Sequence, residues 1–204
     1  MLNRRQAKGR LQRGTTLVEV LITLLIVAFG ILGLAGLISA NQVAELEAYQ
    51  RTQAVMLLQD MTARISANRA NAANYVQVSS SAPVIYGTGD SQPADCTTLS
   101  SPTLAQTDLC EWSNELKGTN EQISSTGVGM MQGARACITQ VQAPNSAAGV
   151  CLPGIYQVTV MWQGMRQTSA PANVCQVASS TYGSSAALRR SISTQVSVGL
   201  LSCS

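Results

Sequence analysis

The sequence predicts an α+β fold in which a long N-terminal α-helix packs on an antiparallel β-sheet head. Three observations carry this. Residues 20–38 are apolar apart from Thr23 and three glycines, a run of 19 residues. Beyond it Val43, Leu46, Ala54, Leu57, Leu58, Met61 and Ile65 recur at helical spacing and form one apolar stripe. Toward the C-terminus, residues 155–163 and 191–201 alternate with period two, as antiparallel strands with one buried face do. A helix followed by several strands is an α+β arrangement.

The helix has two halves with different needs. As a helix, residues 20–38 rise roughly 28 Å, close to the thickness of a bilayer's hydrocarbon core. Apolar on every side, this half requires lipid or other helices around it. The outer half is amphipathic and belongs on a soluble head. Glu47 with Arg51, and Asp60 with Arg64, are acid-first i,i+4 pairs that add about 0.2–0.5 kcal/mol each. Asn68, Asn71 and Asn74 mark its end near residue 70. The expected organisation is a basic leader over 1–14, the helix over 15–70 with 20–38 transmembrane, and a disulfide-containing head over 71–204.

Charge is distributed unevenly. Lys and Arg number 13 against 10 Asp and Glu, but Arg4, Arg5, Lys8, Arg10 and Arg13 all precede Gly14. The remaining chain is net acidic, so the basic balance reports a leader and leaves no footprint for nucleic acid. The positive-inside rule holds that leader in the cytoplasm and sends the rest outward. A secretory signal cut after Ala40 is the competing reading. Its apolar core would exceed the usual length, and Glu19 would stand where such signals prefer cations.

Glu19 is the residue that requires a reason. An ionised carboxylate deep in a bilayer costs about 2.5–3.5 kcal/mol on insertion scales, so such groups are paired or reach water. One reading leaves Glu19 at the interface. The other supplies a cation: cleavage after Gly14 creates an α-amino group on Thr15, four residues before Glu19.

The run Gly14-Thr15-Thr16-Leu17-Val18-Glu19-Val20-Leu21-Ile22 resembles the class III signal of type IV pilins, and residues 24–37 are similar to the PilV-like minor pilins. The resemblance implies a pilin-like fold and a leader cut after glycine by a prepilin peptidase that also methylates the new N-terminus. It implies that Glu19 neutralises the N-terminal amine of a neighbouring pilin during assembly. It also implies a start in the inner membrane, with a periplasmic head, and later residence in a filament at the cell surface. Thr15 stands where many pilins have Phe, and no proline precedes Pro83 to kink the helix. Gly30, Gly33 and Gly36 either allow close helix contacts or are simply tolerated in a membrane.

Within the head, residues 76–103 read as loop with one short strand at 84–86. A short helix follows, capped by Ser101 with Pro102 in its first turn and Gly118 at its exit, with Leu109, Trp112 and Leu116 on one face. Residues 118–134 read as Gly-rich loop, and 136–141 as a strand. Trp112 and Trp162 read as core.

No histidine is present, and no GxGxxG, P-loop, HExxH or GxSxG pattern occurs, so the chain reads as a non-enzyme without cofactor or metal. Asp90, Asp95, Asp108, Glu111, Glu115 and Glu121 read as solvated surface. Arg189 and Arg190 read as edge protection or solubility. Cys96, Cys110, Cys137, Cys151, Cys175 and Cys203 all follow the apolar run, lack CxxC spacing and suit an oxidising compartment. Of 15 possible connectivities, the expected one joins 96–110, 137–151 and 175–203, each bracketing a loop-rich interval. The function expected is a minor pilin that helps to prime a type IV pilus near its tip. A pseudopilin of a type II secretion system and a secreted or anchored adhesin are the alternatives.

Overall fold

A computed structural model of the chain describes residues 14, 16–79, 82–118, 122–123, 126–127, 131–183 and 185–202. Helix α1 spans Leu17–Ala67, and a 3₁₀ turn over Arg69–Tyr75 follows it. The chain divides into one unit up to Glu45 and a second from Leu46 onward. The first, as described, is helix alone.

The second unit is the head. Short strands β1 (Val78–Ser79), β2 (Ala82–Pro83) and β3 (Tyr86–Gly87) lead to α2 (Leu104–Leu116). A two-residue ladder of β4 (Gln122–Ile123) and β5 (Thr126–Gly127) interrupts the expected loop. The long strands are β6 (Arg135–Gln142), β7 (Gly154–Gln163) and β8 (Arg189–Val198). The principal sheet is antiparallel with the order β3-β6-β7-β8.

Helix α1 enters the core through Ala54, Leu58, Met61 and Ile65, all buried at spacings of three or four. Full burial of Leu58, Met61 and Ile65 contributes about 1.5–3 kcal/mol each before ordering costs. Helix α2 meets the same core. Its Trp112 is fully buried and its indole Nε1–H donates to the Leu57 carbonyl at 3.0 Å. Leu109 and Leu116 are buried on the expected face. The helix begins two residues later than Ser101 suggests. Thr103 is the cap, because it and Gln106 satisfy each other's backbone N–H in a capping box, whereas Ser101 has φ +48°. Gly118 closes the helix with φ +71°, as expected.

One-sided burial holds only at the ends of β7. Tyr156, Val158, Val160 and Trp162 face α1 and α2, but Thr159 and Met161 are buried too. A second small cluster of Cys137, Met161, Cys175, Val177 and Tyr182 covers that opposite face. Its covering members Cys175, Val177 and Tyr182 come from the long connection between β7 and β8, which carries no periodic signal.

This connection also overturns two of the three expected cysteine pairs, leaving Cys96–Cys110 as expected. The bridges are Cys96–Cys110 and Cys137–Cys175. Cys137 lies on β6 opposite Thr159, under the covering segment. Cys151 lies in the β6–β7 turn, and the five residue steps from Cys137 to Gln142 along β6 already span roughly 17 Å. A disulfide bridges only about 4.4–6.8 Å between Cα atoms, so the two cannot meet. Cys151 is disulfide-bonded. Cys203, expected to pair with Cys175, lies outside the described residues.

The acids of the head are not merely solvated. Arg64 gathers Asp60 at 2.7 Å, Asp108 at 3.2 Å, Glu111 at 2.6 Å and Glu115 at 3.3 Å. Burial alone would push the guanidinium down, yet its bonds to Glu111 and Asp60 outweigh this and hold its proton more tightly than usual. The Tyr75 hydroxyl donates to Asp108, and burial together with that bond pushes the phenol up to about 12. Burial and the nearby Asp60 push the Glu115 carboxyl up. Asp90 is likewise structural: Lys117 approaches at 2.5 Å, and the Gly87 amide donates to it at 2.9 Å. Gly87 is required there, since at φ +101° an added Cβ would lie 2.5 Å from the Ala134 carbonyl oxygen. Asp95 caps the 3₁₀ turn Cys96–Thr98. Glu121 lies outside the described residues.

Glu47 does not pair with Arg51. Its Oε1 accepts from the Met165 amide at 3.1 Å, the Arg166 amide at 3.2 Å and Arg190 Nη2 at 3.1 Å. Arg190 also donates to the Arg166 and Ala187 carbonyls, and Arg189 is buried, donating to the Pro171 carbonyl. Neither arginine is a free edge charge, because both hold the β7–β8 connection in place.

Replacing Arg64 by Met strands four carboxylates and is expected to cost about 3 kcal/mol of head stability. Arg51→Met, at an exposed position, is expected to stay within about 0.5 kcal/mol. Urea unfolding followed by tryptophan fluorescence measures both. Non-reducing peptide mapping is expected to recover Cys96–Cys110 and Cys137–Cys175, with Cys151 and Cys203 joined as the remaining two.

Candidate assembly segment

The residues singled out for processing and assembly lie at the start of α1. Gly14 is exposed, and Thr15 lies outside the described residues. Thr16 opens the helix: its carbonyl accepts from the Glu19 amide at 3.0 Å, and its Oγ1 accepts from the same amide at 3.3 Å. Thr16 therefore acts as the N-cap, and Glu19 falls three residues later, within the first turn. A carboxylate there faces the positive end of the helix dipole, worth about 0.3–1 kcal/mol in water. That position explains how a charged residue coexists with the apolar run behind it. The relevant pattern, Thr followed three residues later by Glu, was legible in the sequence as a capping signal.

From Leu17 to Ile38 every large apolar side chain is exposed, from 46% at Val20 to 79% at Leu17. The helix is long and apolar enough to cross a membrane, with a mean hydropathy of 2.8 in its most apolar window and none of that window buried. Thr23 is no obstacle, since its hydroxyl donates to the Val20 carbonyl at 2.9 Å. A Cβ added at Gly30, Gly33 or Gly36 meets nothing within 4 Å, so no contact inside the chain requires these glycines.

Ionisable groups are sparse in this segment. Its one ionisable side chain among the described residues 16–44 is Glu19. In the head, the described residues include no group of three or more His, Cys, Asp or Glu placed to hold a metal ion. Asp90 and Asp95 serve the contacts described above.

Residues 39–110 match the Tt1218-like family, described as type IV pilin Tt1218. No curated protein and no solved structure matches the chain. The matched stretch begins near the end of the apolar run and takes in the amphipathic part of α1, the turn after it and half of α2. Over those residues the chain is similar to a type IV pilin, a family of structural subunits.

Proposed function

We propose that this chain is a minor pilin of a type IV pilus. Prepilin peptidase removes the leader after Gly14 at the cytoplasmic side of the inner membrane and methylates Thr15. The mature subunit then leaves the bilayer and joins other major and minor pilins through α1, helping to prime the filament near its tip. The observation that carries this reading is a single one. The pilin-like stretch 39–110 continues upstream, without a break in the helix, into an exposed apolar segment headed by Glu19. Such a segment requires lipid before assembly and other helices after it.

In this reading Glu19 has two settings. In the membrane it sits at the interface in the first helical turn. In the filament its carboxylate pairs with the amine of Thr15 on a neighbouring subunit, where the surroundings are apolar and a lone charge is costly. The head remains in the periplasm until export, and its disulfides suit that compartment.

N-terminal sequencing of the mature protein is expected to begin at Thr15, and Gly14→Val is expected to leave the full precursor in the inner membrane. Normal maturation of that variant, or a mature start at Asn41, would overturn the processing step. For Glu19→Val, insertion and cleavage are expected to proceed. An unpaired amine costs about 3–5 kcal/mol in an apolar setting, so incorporation into sheared filaments should fall at least about a hundredfold. Quantitative immunoblotting of filament and membrane fractions reads this, and undiminished incorporation would assign Glu19 to the interface alone.

A further inference from the structure

Among the described residues, no carboxylate pairs with either of two guanidinium groups on the outer face of the principal sheet. Arg135 on β6 stands across from Met161 on β7, and Arg189 on β8 stands across from Gln163. Met161 and Gln163 are two residues apart, so both arginines share the face of Cys137 and Thr159. The segment bridged by Cys137–Cys175 covers that face and brings Tyr182 onto it.

Tyr182 sits within the field of both charges. The Arg135 guanidinium stands 5.7 Å from its ring centroid. Both arginines pull its phenol downward against the stronger upward push of burial. The side chain is fully buried, and Arg189 is only 4% exposed. Arg189 Nη2 donates to the Pro171 carbonyl at 2.7 Å, and Arg135 Nη1 donates to the Gly133 carbonyl at 3.2 Å. Among the described residues, the buried Arg189 Nε–H and the Tyr182 O–H meet no acceptor, the phenol oxygen itself lying toward the Arg135 donor. The ion pairs among the described residues engage Arg64, Lys117 and Arg190, and none reaches Arg135 or Arg189.

This arrangement calls for an acceptor that carries negative charge. A buried guanidinium cannot relieve its desolvation by losing a proton, as a lysine would, because a guanidinium is not deprotonated in proteins. The free donors, Nε–H and O–H, offer hydrogen and ask for a lone pair. Cover by Tyr182 and Val177 restricts the partner to a small solute. We propose that this face binds one small anion of the halide or inorganic oxyanion class. Arg189 and Tyr182 donate to it, and the Arg135 guanidinium, 5.7 Å from the Tyr182 ring centroid, adds to the positive field that holds it. Bound there, it fastens the β7–β8 connection to the sheet as a third tie beside the disulfide and Glu47.

The test uses the full chain in detergent micelles, with thermal unfolding read by tryptophan fluorescence. Sodium chloride replaces sodium gluconate, whose anion is too large for the site, at constant ionic strength. A saturable rise in midpoint of roughly 3–6 °C is expected, and inorganic phosphate should compete for the same site. Arg135→Gln should weaken the apparent chloride affinity about tenfold, and Arg189→Met should abolish the rise. A midpoint indifferent to chloride and phosphate, or an equal rise in both variants, would overturn the proposal. Should Arg189→Met fail to fold, crystals of the natural sequence grown in sodium bromide decide the matter. An anomalous peak within hydrogen-bond distance of Arg189 Nε supports the site, and its absence overturns it.

Discussion

Arg64 is the point on which the architecture of the head turns. Helix α2 presents Asp108, Glu111 and Glu115 along one side, and α1 adds Asp60 from the preceding turn. Without a cation between them, four carboxylates in one region would repel, and two helices would be driven apart. With unit charges about 4 Å apart at an effective dielectric near 20, each contact with the guanidinium is worth about 4 kcal/mol before desolvation. Repulsion among the acids and partial exposure reduce that sum. What remains is directional: a planar group with five donors can face several acceptors at once, and a lysine cannot. The contact fixes the rotation of α2 against α1, so that Trp112 reaches the Leu57 carbonyl and Leu109 and Leu116 fall into the core. Tyr75 extends the same network from Asp108 to the turn after α1, which sets the direction in which the chain leaves the helix.

The sheet is held differently on its two faces. Toward α1 and α2 the contacts are apolar and continuous, with Tyr156, Val158, Val160 and Trp162 in a single row. The opposite face has only a thin cover, the β7–β8 connection, and apolar burial there is too small to hold a long irregular segment. Specific ties compensate. Cys137–Cys175 fixes its middle, Glu47 accepts from two amides near its start and from Arg190, and Arg190 binds carbonyls at both ends. Glu47 comes from α1, so the long helix anchors the far connection as well as the core.

The apolar part of α1 follows another logic. Its backbone bonds are satisfied within the helix, as hydrocarbon surroundings demand, and its only polar interior side chain bonds back to its own turn. Stability of such a helix comes from what surrounds it, whether lipid or neighbouring helices, and not from the head. The capping of Thr16 on Glu19 is therefore significant for its location. It sets a charged, directional group at the one end of an otherwise featureless apolar cylinder.

Much of this was legible in the sequence because it depends on near neighbours along the chain. The stripe of Ala54, Leu58, Met61 and Ile65 follows from a period of 3.6, and the inward row of β7 from a period of two. Glu19 stood out because a charge beside an apolar run is costly wherever the helix goes. The Asp60–Arg64 pair also survived, since i,i+4 geometry is fixed by the helix itself. Glu47 and Arg51 obey the same spacing and yet do not pair, because backbone amides and Arg190 from a distant connection offer Glu47 more donors. The cysteines went the same way: 96 and 110 meet through local folding, whereas 137 meets 175 only because an aperiodic segment crosses the sheet's outer face. Local periodicity and the cost of stranded charge determined the helix, the strands and the marked N-terminal segment. Only the tertiary structure decided which acids Arg64 collects, which face of β7 gains a second cover and which arginines are buried, because those outcomes depend on elements that are far apart in sequence and compete for the same partners.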